Sequence, residues 1–298
     1  MSVDREEAGL RGPVSTCSTE TDRLSTTATY SLQGDLLELR QQDSDRMKWS
    51  VICRYDDHNR IIEKECVGNM VKGDRFFSYR YDSLGRLERV LVRVAKEGER
   101  VYESIQYAAD GTKTSTLYPV ALNPGRTGLT SITAESALHF STDAVAIMTS
   151  FDASERPTRR VLYDVDDRVI RRVAFRYDER GLLIEEGEVI GGSIRDDFRN
   201  LYRYDAAGRR IQAELRCGDM GGTARRTYEY NEHGDMAQET IEGSAGIVVE
   251  PDASTCFTRR FAYQYDDQGN WIERKIETIA TTTEPCLDII ERRTLTYF

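Results

Sequence analysis

The sequence predicts an all-β protein: a long antiparallel meander of two-strand repeats, each about 26 residues, in a coiled or partly closed sheet. Three observations carry that prediction. The phrase "YRYDSLGRLERV" at 79–90 returns as "YRYDAAGRR" from 202, "YEYNEHGDM" from 228 and "YQYDDQGNW" from 263. The aromatic residue before each turn falls at Tyr55, Tyr81, Tyr107, Phe151, Tyr163, Tyr177, Tyr204, Tyr230 and Tyr265, in steps of 26, 26, 44, 12, 14, 27, 26 and 35, the 12 and 14 together making one further period. The flanks alternate, so the two tyrosines of each pair, two residues apart, share one face of a strand.

The phrase itself is a hairpin turn. An aspartate at the first position turns its carboxylate onto backbone N–H groups ahead of it, and a glycine takes the left-handed conformation after a type I turn, leaving a bulge. The predicted turn residues are Asp82 with Gly85, Asp178 with Gly181, Asp205 with Gly208, Asn231 with Gly234, and Asp266 with Gly269. "YDDHNR" at 55–60 and "YDVDDR" at 163–168 lack the glycine, and Asn59 is expected to adopt the same left-handed geometry.

Taken in chain order, residues 1–28 are polar and rich in Ser, Thr, Arg and Glu, and read as a flexible tail. Residues 29–298 read as one repeat domain of roughly 15 to 18 strands, since large sheets curl as strand twist accumulates. Its first segment, 29–50, is a short helix or first strand that covers one sheet edge. Loop insertions interrupt the array near 117–136 and 242–255. The ending "ERRTLTYF" alternates again, and Arg292 and Arg293 guard the other edge against pairing.

Composition narrows the function. Hydrophobic residues make up 39% and charged residues 31%, polar for a globular chain, yet 16 Tyr, 9 Phe and 2 Trp supply enough bulk for a core. A net charge of −10 argues against wrapping nucleic acid, and the local "RR" pairs at 159, 171, 225 and 259 read as one solvated face. No apolar run reaches the length of a membrane helix, so no membrane span is expected. The N-terminus carries acids where a secretory signal has an apolar core, which implies a cytoplasmic chain or one exported by a non-Sec route. Cys17, Cys53, Cys66, Cys217, Cys256 and Cys286 are scattered without a CxxC pair and read as reduced, buried thiols. His58, His139 and His233 are too few for a zinc site, and neither metal nor cofactor is expected.

On "YRYDSLGRLERV", "FRYDERGLLIEE", "YRYDAAGRRIQAE" and "FAYQYDDQGNWIERK", the chain resembles the YD repeats of the RHS/YD-repeat proteins over about residues 50–298. The resemblance implies a spiralling β-sheet, here a short curved wall. It implies a surface for cell contact or sugar binding, or an accessory part of a toxin-delivery system.

Catalytic patterns are sparse. The acid pairs Asp56–Asp57, Asp166–Asp167, Glu185–Glu186 and Asp266–Asp267 lie side by side, so in a strand they point to opposite faces and in a turn they point to water, unlike the facing carboxylates of a glycosidase. "DVDDR" at 164–168 lacks the glycine and distal glutamate of a calcium loop. Phosphate-loop, nucleophile-elbow and zinc-protease motifs are missing from the sequence. The expectation is a non-enzymatic scaffold or protein-interaction module. A carbohydrate-binding module is the alternative, with Trp271, Tyr81, Tyr204, Tyr230 and Tyr265 as stacking candidates. A protein or a glycan is accordingly the expected class of partner.

Overall fold

Alternation and turn chemistry write most of the strands. The computed structural model describes residues 4–43, 48–68, 74–94, 98–118, 145–217, 222–243, 256–280 and 289–298. A short helix, α1 (Asp4–Glu7), precedes β1 (Val14–Glu20), β2 (Leu24–Tyr30), β3 (Leu36–Asp43), β4 (Lys48–Tyr55), β5 (Ile61–Gly68), β6 (Arg75–Tyr81), β7 (Leu87–Val94), β8 (Gly98–Tyr107) and β9 (Lys113–Leu117). There follow β10 (Ala146–Phe151), β11 (Pro157–Tyr163), β12 (Val169–Tyr177), β13 (Leu183–Ile190), β14 (Ser193–Tyr204), β15 (Arg210–Cys217), β16 (Gly222–Tyr230), β17 (Met236–Gly243), β18 (Cys256–Tyr265), β19 (Trp271–Ala280) and β20 (Ile289–Tyr297). Most of the predicted insertions, 119–136 and 244–255, lie outside the described residues.

All twenty strands belong to one antiparallel sheet. β1 pairs with β2, with Cys17 opposite Ala28, and also with β20, with Cys17 opposite Leu295. The hydrogen-bonded order therefore has no first or last member: by its pairing the sheet is a closed 20-strand antiparallel β-barrel. This corrects the expected coiled or partly closed meander. It also overturns the RHS/YD-repeat resemblance, whose spiralling wall leaves free edges. The repeat character of the strands remains, without that family assignment. The physical reason is the edge itself, a row of unpaired backbone groups that closure removes and that side-chain guards only blunt.

The residues that close the sheet are those read as a tail. "VSTCSTE" and "LSTTATY" are polar by count but rich in β-branched threonine, and they turn Val14, Cys17, Ala28 and Tyr30 into a core. Segment 29–50 supplies β3 and the start of β4 rather than an edge cover. Arg292 and Arg293 lie in β20, between β19 and β1, where no edge needs guarding.

Packing divides the chain into two compact units. Residues 1–101, 260–278 and 286–298 form one. Its core gathers Leu10, Val14, Cys17, Ala28 and Tyr30, with Leu36, Leu39 and Leu295 against them. Asp4 of α1 accepts the Leu36 N–H at 2.8 Å and fastens the helix to β3. Residues 102–259 and 279–285 form the other, with Leu162, Val173, Ala213, Leu215, Ala224 and Ile241 buried. In each unit the face bearing the tyrosines is the more buried one.

Candidate functional site

The repeated phrase builds a repeated corner. At Asp205 the carboxylate Oδ1 accepts the Arg209 N–H at 2.9 Å and Oδ2 accepts Arg209 Nε at 2.7 Å. The Gly208 N–H bonds the Asp205 carbonyl at 3.1 Å, and Gly208 sits at φ 81°. Asp82 makes the same bonds to Leu84, Arg86 and the Arg86 guanidinium, and Asp178 to Arg180 and Leu182. Asn231 uses its amide oxygen on His233 and Asp235, and Asp266 binds Gln268 and Asn270. The turn glycines Gly85, Gly181, Gly234 and Gly269 lie at φ 76°, 81°, 84° and 78°. Asn59, Glu155 and Asp167 take the equivalent position without glycine, at φ 61°, 61° and 59°.

These bonds hold Asp56, Asp82, Asp152, Asp178 and Asp205 ionised. The Arg60 guanidinium lowers Asp56 to about 2, and the Arg156 guanidinium lowers Asp152. The backbone N–H groups of Arg86, Leu182 and Arg209 are the first cause at Asp82, Asp178 and Asp205, all likewise lowered.

The corners at Asp56, Asp152 and Asp205, each ending in an arginine, also reach the next repeat. The Arg60 guanidinium lies 4.6 Å from the centre of the Tyr81 ring, Arg156 5.1 Å from Tyr177, and Arg209 4.8 Å from Tyr230. The tyrosine hydroxyls donate to strand carbonyls: Tyr81 to Ile61, Tyr204 to Leu183 and Tyr230 to Arg210, all at 2.7 Å. Desolvation raises the Tyr81 and Tyr230 phenols and lifts Tyr177 to about 12, so these rings stay neutral.

The stacking candidates are thus placed, but not as an open strip. Tyr81, Tyr204, Tyr230 and Tyr265 are half-buried on the tyrosine face. Tyr263 and Tyr265 stack at 5.8 Å between ring centres, and Tyr263 lies 6.4 Å from Trp271. Trp271 itself is 5% exposed, with the Arg293 guanidinium 3.5 Å and the Arg274 guanidinium 4.8 Å from its ring centre.

Sequence reasoning missed a polar node in the second unit. Glu186 is 3% exposed and accepts the Tyr202 O–H at 2.6 Å and the Asn200 amide at 3.0 Å. Glu185, on the other face, is also buried, between Arg176 at 3.0 Å and Arg199 at 3.3 Å. The two adjacent acids point to opposite faces, as expected of a strand, and each face supplies basic or hydrogen-bonding partners. Burial lowers the Arg160 pKa, against the raising field of Glu186 on the same face.

Little here supports chemistry on a substrate. Among the described residues no group of three or more His, Cys, Asp and Glu is placed to hold a metal ion. Cys17, Cys53 and Cys66 are free thiols whose pKa burial raises, the opposite of an activated nucleophile. His139 and Cys286 lie outside the described residues. "DVDDR" forms an ordinary corner, with the Asp164 carboxylate accepting the Asp166 and Arg168 N–H groups at 2.9 Å. By its strand pairing the chain is a β-barrel domain.

A family model described as "Uncharacterised protein" matches residues 122–250. The chain matches no curated protein. Among solved structures it is similar to the Tc holotoxin pore of Photorhabdus luminescens, at 15% identity and a TM-score of 0.30, over 88% of this chain and 14% of that one. It is also similar to a porin-like protein of Bacteroides uniformis, at 10% identity and a TM-score of 0.38, over 96% and 98% of the two chains. For a porin-like protein of Bacteroides vulgatus the values are 12% and 0.33, over 96% and 98%. The chain therefore spans about one seventh of the toxin chain that it matches.

Two further expectations are corrected. "No membrane span" rested on a missing apolar run of helical length. No helix among the described residues is long and apolar enough to cross a membrane, and this says nothing of a closed antiparallel sheet, an architecture that crosses with strands. The exclusion is withdrawn. With it goes the cytoplasmic or non-Sec location, which had only the missing apolar segment behind it.

Proposed function

We propose that the chain is a non-enzymatic structural module of a larger assembly, an accessory part of the toxin-delivery kind. The observation that supports this reading is how its polar chemistry is used. Corner acids bind backbone and arginine, repeat hydroxyls bind strand carbonyls, and Trp271 is enclosed by two guanidiniums. Groups that a sugar site or a catalyst would turn toward a ligand are spent on holding the sheet. Sugar stacking on Trp271 would first require opening the arginine stack around it.

The test is to isolate the chain gently from its native cells and measure its size by chromatography with light scattering. A panel of ester, glycoside, phosphate and peptide substrates is run beside it. The expected result is a particle larger than one chain, without turnover. A free single chain overturns the reading, as does turnover that scales with protein concentration and survives repurification.

A further inference from the structure

The outward face of β11, β12 and β13 carries charges that the corners do not use. Arg159 stands opposite Ala174, diagonal to both Arg172 and Arg176 on the neighbouring strand. Ala174 in turn stands opposite Gly187, so the row running across the sheet from Arg159 continues with two residues of little or no side chain. That gap opens into a cavity of about 680 Å³ lined by Arg159, Arg172, Ala174, Arg176, Val189 and Ile194, among others. Its far wall is the β13–β14 hairpin, which turns at Gly191 and Gly192 with φ of 61° and 87°. The volume falls in the range of small-molecule sites, about 300–1,000 Å³.

The charge of this cavity runs against the rest of the chain. The sequence has 51 acidic and 41 basic side chains, so most arginines have acids to choose from. Arg176 uses Glu185 at 3.0 Å, and the same carboxylate also serves Arg199 at 3.3 Å. Arg159 and Arg172 have no acidic partner among the described residues, and both are exposed. Diagonal cross-strand neighbours lie only about 7–8 Å apart, so these like charges repel unless an anion sits between them. Guanidinium forks match carboxylate and phosphate oxygens in pairs, and the Val189–Ile194 wall suits an apolar body.

We propose that this pocket binds a small organic anion, a carboxylate or phosphate monoester carried on an apolar body. The site is independent of the structural role proposed above and does not require the assembly.

The test is calorimetric titration of the whole chain with four probes: phenyl phosphate, benzoate, inorganic phosphate and benzyl alcohol. Phenyl phosphate or benzoate is expected to bind more tightly than either inorganic phosphate or benzyl alcohol, and the better of the two tells phosphate from carboxylate chemistry. The doubly substituted R159A/R172A chain should bind at least about tenfold more weakly, the loss of one or more charge-assisted hydrogen bonds. Arg225→Ala, an exposed change on β16, should leave binding unaltered. Melting curves establish that each variant is folded. Silence of both aromatic anions at millimolar concentration overturns the proposal, as does equal binding by the folded double variant. Benzyl alcohol binding as tightly as the anions overturns it too.

Discussion

Gly208 offers the cleanest test of the corner geometry. It sits at φ 81°, and a Cβ built there would meet only Leu182 Cδ1, at 3.9 Å. Space is therefore not the obstacle, and any penalty comes from the backbone. Three corners show how a side chain is accommodated, because Asn59, Glu155 and Asp167 hold the equivalent position at φ 59–61°. A substituted corner must relax by about 20° toward the left-handed minimum, which asparagine tolerates and a β-branched residue resists. The expected destabilisation is below about 1 kcal/mol for Gly208→Asn, about 1–2 for Gly208→Ala and about 2–3 for Gly208→Val. For a chain of 298 residues, 1 kcal/mol moves the melting midpoint by about 1.5–2 °C, so valine should lower it by about 3–6 °C. Urea unfolding followed by circular dichroism gives the free energies. Three variants within about 0.3 kcal/mol of one another, or valine milder than asparagine, would refute the left-handed corner as the reason for the glycine.

The remaining predictions concern the bonds around that corner. Tyr230→Phe removes the donation to the Arg210 carbonyl and should cost about 0.5–1.5 kcal/mol by urea unfolding, and no change would mean the hydroxyl contributes nothing. A double-mutant cycle of Arg209→Met and Tyr230→Leu should show about 0.5–1 kcal/mol of coupling, and strict additivity would dismiss the stacking. Because the folded pKa values of Asp56, Asp82, Asp152, Asp178 and Asp205 lie below those of the unfolded chain, their contribution is present above roughly pH 5 and is lost as pH falls through about 4 toward 2. The melting midpoint should hold steady down to about pH 5 and then fall, less steeply in Asp56→Asn; a midpoint that does not fall below about pH 4 contradicts the linkage. Glu186→Ala removes the acceptor of Tyr202 and Asn200 and should destabilise by about 2–4 kcal/mol, with Glu186→Gln milder; a stable alanine variant would mean the node is not structural.

What the sequence made legible was local. Corner chemistry needs only five consecutive residues, so Asp82, Gly85 and Arg86 announce their turn without help from the rest of the chain. Face assignment needs only alternation, and it placed the tyrosine pairs together. Closure depends on a pairing between Cys17 and Leu295, almost the whole chain apart, and no local pattern encodes that partner. The strands that make it, β1 and β2, hide behind threonines that composition counts as polar. The outward pocket was illegible for a related reason. "RR" at 159 and 171 looks like a solvated face until registry sets Arg159 across from Ala174, and Ala174 across from Gly187.

The corner also explains why the phrase repeats as a unit rather than as separate preferences. Arg60 bonds Asp56 at its own turn and lies over Tyr81 of the next, while the Tyr81 hydroxyl returns to Ile61, the residue after that arginine. Where the arginine is present in this way, Asp, Arg and Tyr are not three independent choices, because Arg60, Arg156 and Arg209 each engage a carboxylate in one repeat and a ring in the next. The corners at Asp152 and Asp205 repeat the arrangement with Tyr177 and Tyr230. Other corners place a different residue where that arginine stands: Thr112, Leu182, Asp235 and Asn270. At the last corner Asn270 replaces arginine, and what lies beside it is the N-terminal segment rather than another repeat. Its amide oxygen accepts the Arg11 N–H at 2.5 Å, and its amide nitrogen donates to the Arg11 carbonyl at 2.8 Å and to Tyr297 at 2.9 Å. A planar amide matches a backbone peptide in both directions, which a guanidinium, having only donors, does not. At the last corner the residue in the arginine position is thus one whose amide can join the repeat to the N-terminal segment.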